Sequence, residues 1–331
     1  MEWIREDVNF KYINNKDNVV ILHNKNSLKD EFHRYAKFFL DTANIVIDYM
    51  IESPINSVKD HYFFPLIYLY RQSIELLLKG NVLKYTSSKS EQKEYFNLVG
   101  HNLSYSFEVF QAKCNCVNTT DNEDILWLEE FINHITYTDS ESDVFRYPFS
   151  NSGKKYFQET KTANLRYLKI NFNTAYKILM DLDKDKCIEK TTYEHYEPNL
   201  FIDRGLYEEL SIVGWRMSFS KYNFYPYING YTEVAGYIRK YIIEYKNYDL
   251  FLPMCYIFRN AVELSLKRIL IEDTGIEEKN SMKKIQKKKH SVLGLWNSIK
   301  SIIEECSPSE EDTTIESAEK YIRILQDFDC S

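Results

Sequence analysis

The stretch 63–79, FFPLIYLYRQSIELLLK, returns at 251–267 as FLPMCYIFRNAVELSLK. Eight of the seventeen positions are identical (Phe, Pro, Tyr, Arg, Glu, Leu, Leu, Lys), where composition alone predicts roughly one. The offset is 188 at this point and barely drifts downstream: His101 and His290 lie 189 apart, Phe107 and Trp296 189, Asp139 and Asp329 190. So steady an offset indicates one fold used twice.

Working outward, the chain divides into an N-terminal arm (1–28), a first helical bundle (29–190), a linker (191–204) and a second bundle (205–331). The linker region is polar and loses the helical period. The first copy closes with a helical stretch, Leu165 to Leu182, for which the second copy shows no counterpart before Ser331. Its core is therefore expected to be completed by the first copy, by a partner protein or by another chain in a homo-oligomer such as a dimer.

Composition agrees with a helical reading. Only 9 glycines and 7 prolines occur in 331 residues, too few for glycine-rich phosphate loops or many-turned β architectures. With 44% hydrophobic and 15% aromatic residues the chain can bury a core. Six cysteines are too few for a disulfide scaffold and are expected reduced in the cytoplasm. No 18-residue apolar window predicts a membrane span. The net charge of −7 disfavours general polyanion binding but permits one local basic site.

Periodicity predicts an all-α protein built from two related antiparallel bundles. Phe32, Tyr35, Phe39, Ala43, Val46, Ile47 and Met50 mark a first helix. A second carries Leu66, Leu69, Tyr70, Ile74, Leu77 and Leu78. Pro65 and Pro253 are expected in its first turn in each copy, where a missing N–H costs nothing. Further helices follow His101 and span Ile125 to Ile135.

Inside the repeated helix, Arg71, Glu75 and Lys79 recur as Arg259, Glu263 and Lys267, at spacings that place each trio on one helical face. One reading is an anion site, an arginine fork held by a carboxylate. The other is a salt-bridge ladder that fixes register. His101 and His290 follow at matched distances and suit a proton carrier. Lys283, Lys284, Lys287, Lys288 and Lys289 run up to His290, and such runs belong to solvated loops; this one is the only local feature suited to a polyanion. No Walker loop, Gly-x-Gly-x-x-Gly, Gly-x-Ser-x-Gly or His-Glu-x-x-His occurs, and no metal-ligand set or cofactor is expected.

The combination of Pro, Arg-x3-Glu-Leu-x-Leu-Lys, then His, then Asp139 and Phe145-Arg146-Tyr147-Pro148 resembles the HEPN (higher eukaryotes and prokaryotes nucleotide-binding) helical families. That resemblance implies a tandem HEPN-like protein that binds or cleaves RNA, or binds a nucleotide, in antiphage defence or a toxin–antitoxin system. It implies Arg71, His101, Arg259 and His290 as catalytic candidates, with Glu75 and Glu263 orienting them. Lys79, Lys267, Arg146 and the Lys283–Lys289 run would contact phosphate. The usual Arg-x4–6-His ribonuclease motif is absent here, so Arg and His must meet from separate helices. Otherwise the repeated helices serve a non-catalytic interaction or sensor module.

Overall fold

The computed structural model describes residues 27–114, 122–150, 152–184, 193–214, 222–306 and 314–329. All but the last two residues of the arm (1–28), together with the first two of the linker, lie outside them. Among the described residues the protein is all-α apart from one two-stranded sheet. The described residues form two compact units, one up to Phe258 and one from Arg259, which divide inside a helix.

In the larger unit, α1 (Leu28–Glu52) runs beside α2 (Asn56–Leu83), and α3 (Lys89–Val99), α4 (Leu103–Lys113), α5 (Glu123–Thr138), α6 (Leu165–Asp183) and α7 (Phe224–Tyr245) follow. Short polar side chains begin five of these helices: Ser27, Ser88, Asn102, Asn122 and Asn164 each accept a first-turn backbone N–H. Helix α2 is enclosed on every side, with 22 of its 28 residues buried, Arg71 and Glu75 among them. It packs against α1, α4, α6 and α7.

Pro65 does not open α2. It lies in the helix interior, because α2 begins at Asn56 and the sequence from there is helix-compatible. Pro65 has no N–H to offer the His61 carbonyl. Helix α7 packs its backbone there: a β-carbon on Gly230 would stand 2.0 Å from the His61 oxygen. Pro253 does fall in the first turn of α8 (Phe251–Arg268).

Two elements had no clear signal in the sequence. Strands β1 (Lys161–Asn164) and β2 (Leu210–Val213) pair antiparallel, Lys161 with Val213 through Asn164 with Leu210. The segment 193–200 is non-helical and fastened along α5 and α6. Buried Asn171 donates to the Glu197 carbonyl and accepts from Tyr196 N–H, while Trp127 Nε1 donates to the Tyr196 carbonyl at 2.7 Å.

In the smaller unit, the end of α8 passes through a π-helical turn, Ile269–Asp273, into α9 (Glu278–Lys288), α10 (Val292–Cys306) and α11 (Thr314–Asp329). The lysine run is therefore largely helical rather than a loop. Met282 and Ile285 are buried on one face of α9 and hold it in place. Among the described residues no helix is long and apolar enough to cross a membrane.

Candidate functional site

In the larger unit the site grows from the buried face of α2. Glu75 lies one turn after Arg71 and one before Lys79, so both cations reach its carboxylate: Arg71 Nη1 donates to Oε2 at 2.7 Å and Lys79 Nζ to Oε1 at 2.7 Å. His101, where the chain turns into α4, brings its Nδ1 to Oε1 at 2.9 Å. Burial would push the Glu75 carboxyl up, but the His101 hydrogen bond and the charges of Arg71 and Lys79 outweigh it and hold it well below the carboxylate range.

Arg71 is the hub. Its side chain is 0% exposed. Besides Glu75, it donates from Nη2 to the His101 carbonyl at 2.7 Å and from Nε and Nη2 to the Asp139 carbonyl at 3.3 and 3.1 Å. The Asp139 carboxylate adds an ion pair to Nε at 3.4 Å and accepts the Asp143 and Val144 N–H groups. Asp139 thereby starts the turn leading to Phe145-Arg146-Tyr147-Pro148. So committed a guanidinium is not a ligand-facing anion fork; it is a tether joining α2 to the start of α4 and the end of α5. Arg146 lies in that turn, donating to Tyr147 Oη at 2.8 Å and set over the Tyr68 ring. Tyr227 and Tyr231 of α7 clasp the turn from the other side, donating to the Val144 and Phe145 carbonyls.

The smaller unit repeats the core of this arrangement. Arg259 Nη1 donates to Glu263 Oε2 at 2.5 Å and Nη2 to the His290 carbonyl at 2.6 Å. Lys267 Nζ stands 2.6 Å from Glu263 Oε1, and His290 Nδ1 3.1 Å from it. Burial again opposes ionisation of Glu263, and Lys267, His290 and Arg259 override it, so its pKa falls well below normal. Arg259 is less enclosed, 14% exposed at its side chain.

In both units an arginine on a helix and a histidine in the turn before the next helix share one glutamate, and the arginine donates to the histidine carbonyl. An ionised glutamate only accepts, so each histidine donates from Nδ1 to the glutamate. Both side chains are about half exposed, 51% for His101 and 52% for His290. The arrangement offers a fixed imidazole at the surface over a buried carboxylate.

The backbone before each histidine is also the same. Gly100 has φ 52, ψ −114, and Lys289 φ 50, ψ −112. Glycine takes these angles freely; lysine takes them under strain.

Beside His290, α9 exposes Lys283 and Lys287, while Lys284 and Lys288 are half-buried and Lys289 is exposed. Lys279, which the run at 283–289 does not include, is exposed one turn before Lys283 on the same helical face. Its signal was the i,i+4 spacing with Lys283 and Lys287, visible only once the segment is taken as a helix.

Among the described residues no group of three or more His, Cys, Asp and Glu side chains is placed to hold a metal ion. Compared with family models, with curated proteins and with solved structures, the chain matches none of them.

Proposed function

We propose that the chain binds RNA or a related phosphodiester along the lysine face of α9, and that His290 acts there as a metal-independent proton carrier. The observation that carries this reading is the His290–Glu263 pair: a half-exposed imidazole fixed at 3.1 Å by a buried carboxylate, directly after a helix that exposes Lys279, Lys283 and Lys287. A fixed imidazole can take a ribose 2′-hydroxyl proton or protonate a leaving oxygen. Lysines one turn apart stand about 6 Å from each other along a helix, a usable track for successive phosphates. The HEPN-like resemblance of the repeated motif adds the setting, an antiphage or toxin–antitoxin system, and the shared hydrogen-bond pattern supports an origin by internal duplication.

A second reading is favoured by Arg71. With its guanidinium wholly buried and committed, the site of the larger unit is better suited to a non-catalytic role, holding a surface histidine and the Asp139 turn for interaction or dimerisation.

The test is RNA retention and cleavage in EDTA by the intact chain, beside His290→Ala, His101→Ala and Lys283→Ala/Lys287→Ala. The reading expects the lysine pair to weaken retention, His290→Ala to abolish cleavage while retention persists, and His101→Ala to change neither. Retention indifferent to the lysines, or absent from the intact chain, would sink it. Retention without cleavage by the intact chain leaves the binding role and removes the catalytic one.

A further inference from the structure

The larger unit also contains a small cavity of about 30 Å³ between β2, the start of α7 and the chain after Pro148. Phe64, Phe157 and Tyr222 supply aromatic walls, and Asp60 of α2 reaches into it. The walls are fixed. Phe64 is 3% exposed, stacked on Tyr227 with centroids 3.9 Å apart and set edgewise to Phe157 at 6.0 Å.

Asp60 is half-buried, and Oδ1 accepts the Ile212 N–H at 2.7 Å. Among the described residues no ion pair engages it. Lys155 also lines the cavity, yet forms no salt bridge with it. Burial raises the Asp60 carboxyl above its ordinary value, and the Ile212 N–H and neighbouring Lys59 offset this only in part. A carboxylate that faces aromatic surfaces and forms no ion pair among the described residues is a site for a cation that carries its own apolar stem.

Size selects among such cations. A water-sized group needs roughly 10–15 Å³ of such space, so the cavity takes about two heavy atoms. That admits a methylene and an ammonium and excludes a trimethylammonium head. We propose that the Asp60 cavity binds a primary alkylammonium group, its charge on the free carboxylate oxygen and its methylene against Phe64 and Phe157. This is independent of the histidine sites and takes a ligand of opposite charge to theirs.

Ethylammonium is the probe, followed by saturation-transfer NMR and thermal shift on the full chain, with tetramethylammonium and acetate as controls. Asp60→Asn tests the assignment, because asparagine keeps an oxygen for the Ile212 N–H and loses the charge. A single group gives millimolar affinity. Expected are saturation transfer to ethylammonium, none to tetramethylammonium or acetate, and at least a tenfold loss in Asp60→Asn with its melting temperature unchanged. N-acetyl-lysine amide distinguishes the sources: tighter binding than ethylammonium indicates a lysine side chain of a partner, and weaker binding a free amine. Absence of ethylammonium binding, equal binding by Asp60→Asn, or equal binding of tetramethylammonium would overturn the proposal.

Discussion

Arg71 and His101 are joined by a 2.7 Å hydrogen bond from guanidinium to backbone carbonyl, not by contact between their side chains. The imidazole is set through its own main chain on one side and Glu75 on the other. Arg71 is thus a positioning residue, and its loss is felt first as stability.

Arg71→Ala removes one partner of a buried pair and leaves Glu75 and two carbonyls short of donors. The expected cost is about 3–5 kcal/mol, measured by urea unfolding. Arg259→Ala, at a less enclosed position, is expected to cost less. Equal, small losses at both positions would contradict the hub.

Acid tests the glutamates. Both have pKa values below the ordinary 4.5. A carboxylate whose pKa is lower folded than unfolded adds stability above the unfolded value and loses it as pH falls toward the folded one. The contribution of Glu75 and Glu263 is therefore complete at neutral pH and declines as pH drops below about 4.5. Melting temperatures across that range are expected to fall more steeply for the native chain than for Glu75→Gln/Glu263→Gln, whose melting temperature is already lower at neutral pH.

The approach of α7 to α2 depends on a missing side chain. Gly230→Ala places a β-carbon 2.0 Å from the His61 carbonyl oxygen, an atom of a helix backbone that cannot rotate away. The expected loss is about 1–3 kcal/mol. Gly236→Ala, in the same helix with open space around it, serves as the control and is expected to be neutral or stabilising.

The turn before each histidine gives opposite outcomes for exchanged residues. Gly100→Ala is expected to destabilise the larger unit by about 1–3 kcal/mol, since its φ is 52. Lys289→Gly removes strain at φ 50 and is expected to be neutral or mildly stabilising despite glycine's extra entropy when unfolded. Loss of stability in Lys289→Gly would show that the lysine side chain, not the backbone, matters there.

The sequence made α1, α5 and α6 legible because their apolar positions recur every three to four residues. It also made the Arg-Glu-Lys ladder legible, because i,i+4 spacing alone puts those groups in reach. Pro65 misled, since a proline suited to a first turn gave no sign of the nine helical residues before it. Helices α3 and α9 are mostly polar and carry few buried residues, so periodicity was faint. The role of Arg71 was hidden for another reason: its decisive acceptors are the His101 and Asp139 carbonyls, which every residue type possesses. Strands of four residues, paired across nearly fifty positions, leave no local pattern.

The contacts of Arg71 also bear on the order of assembly. Its acceptors lie 30 and 68 residues away along the chain, so they meet only after the start of α4 and the end of α5 have reached α2. Glu75 has its neighbours Arg71 and Lys79 within the same helix from the outset; the long-range bonds are expected to close late. Late contacts govern how fast a native protein opens rather than how fast it forms. Substitution at Arg71 is therefore expected to quicken unfolding while leaving the refolding rate nearly unchanged, which makes this interior charge a latch on the lifetime of the folded unit.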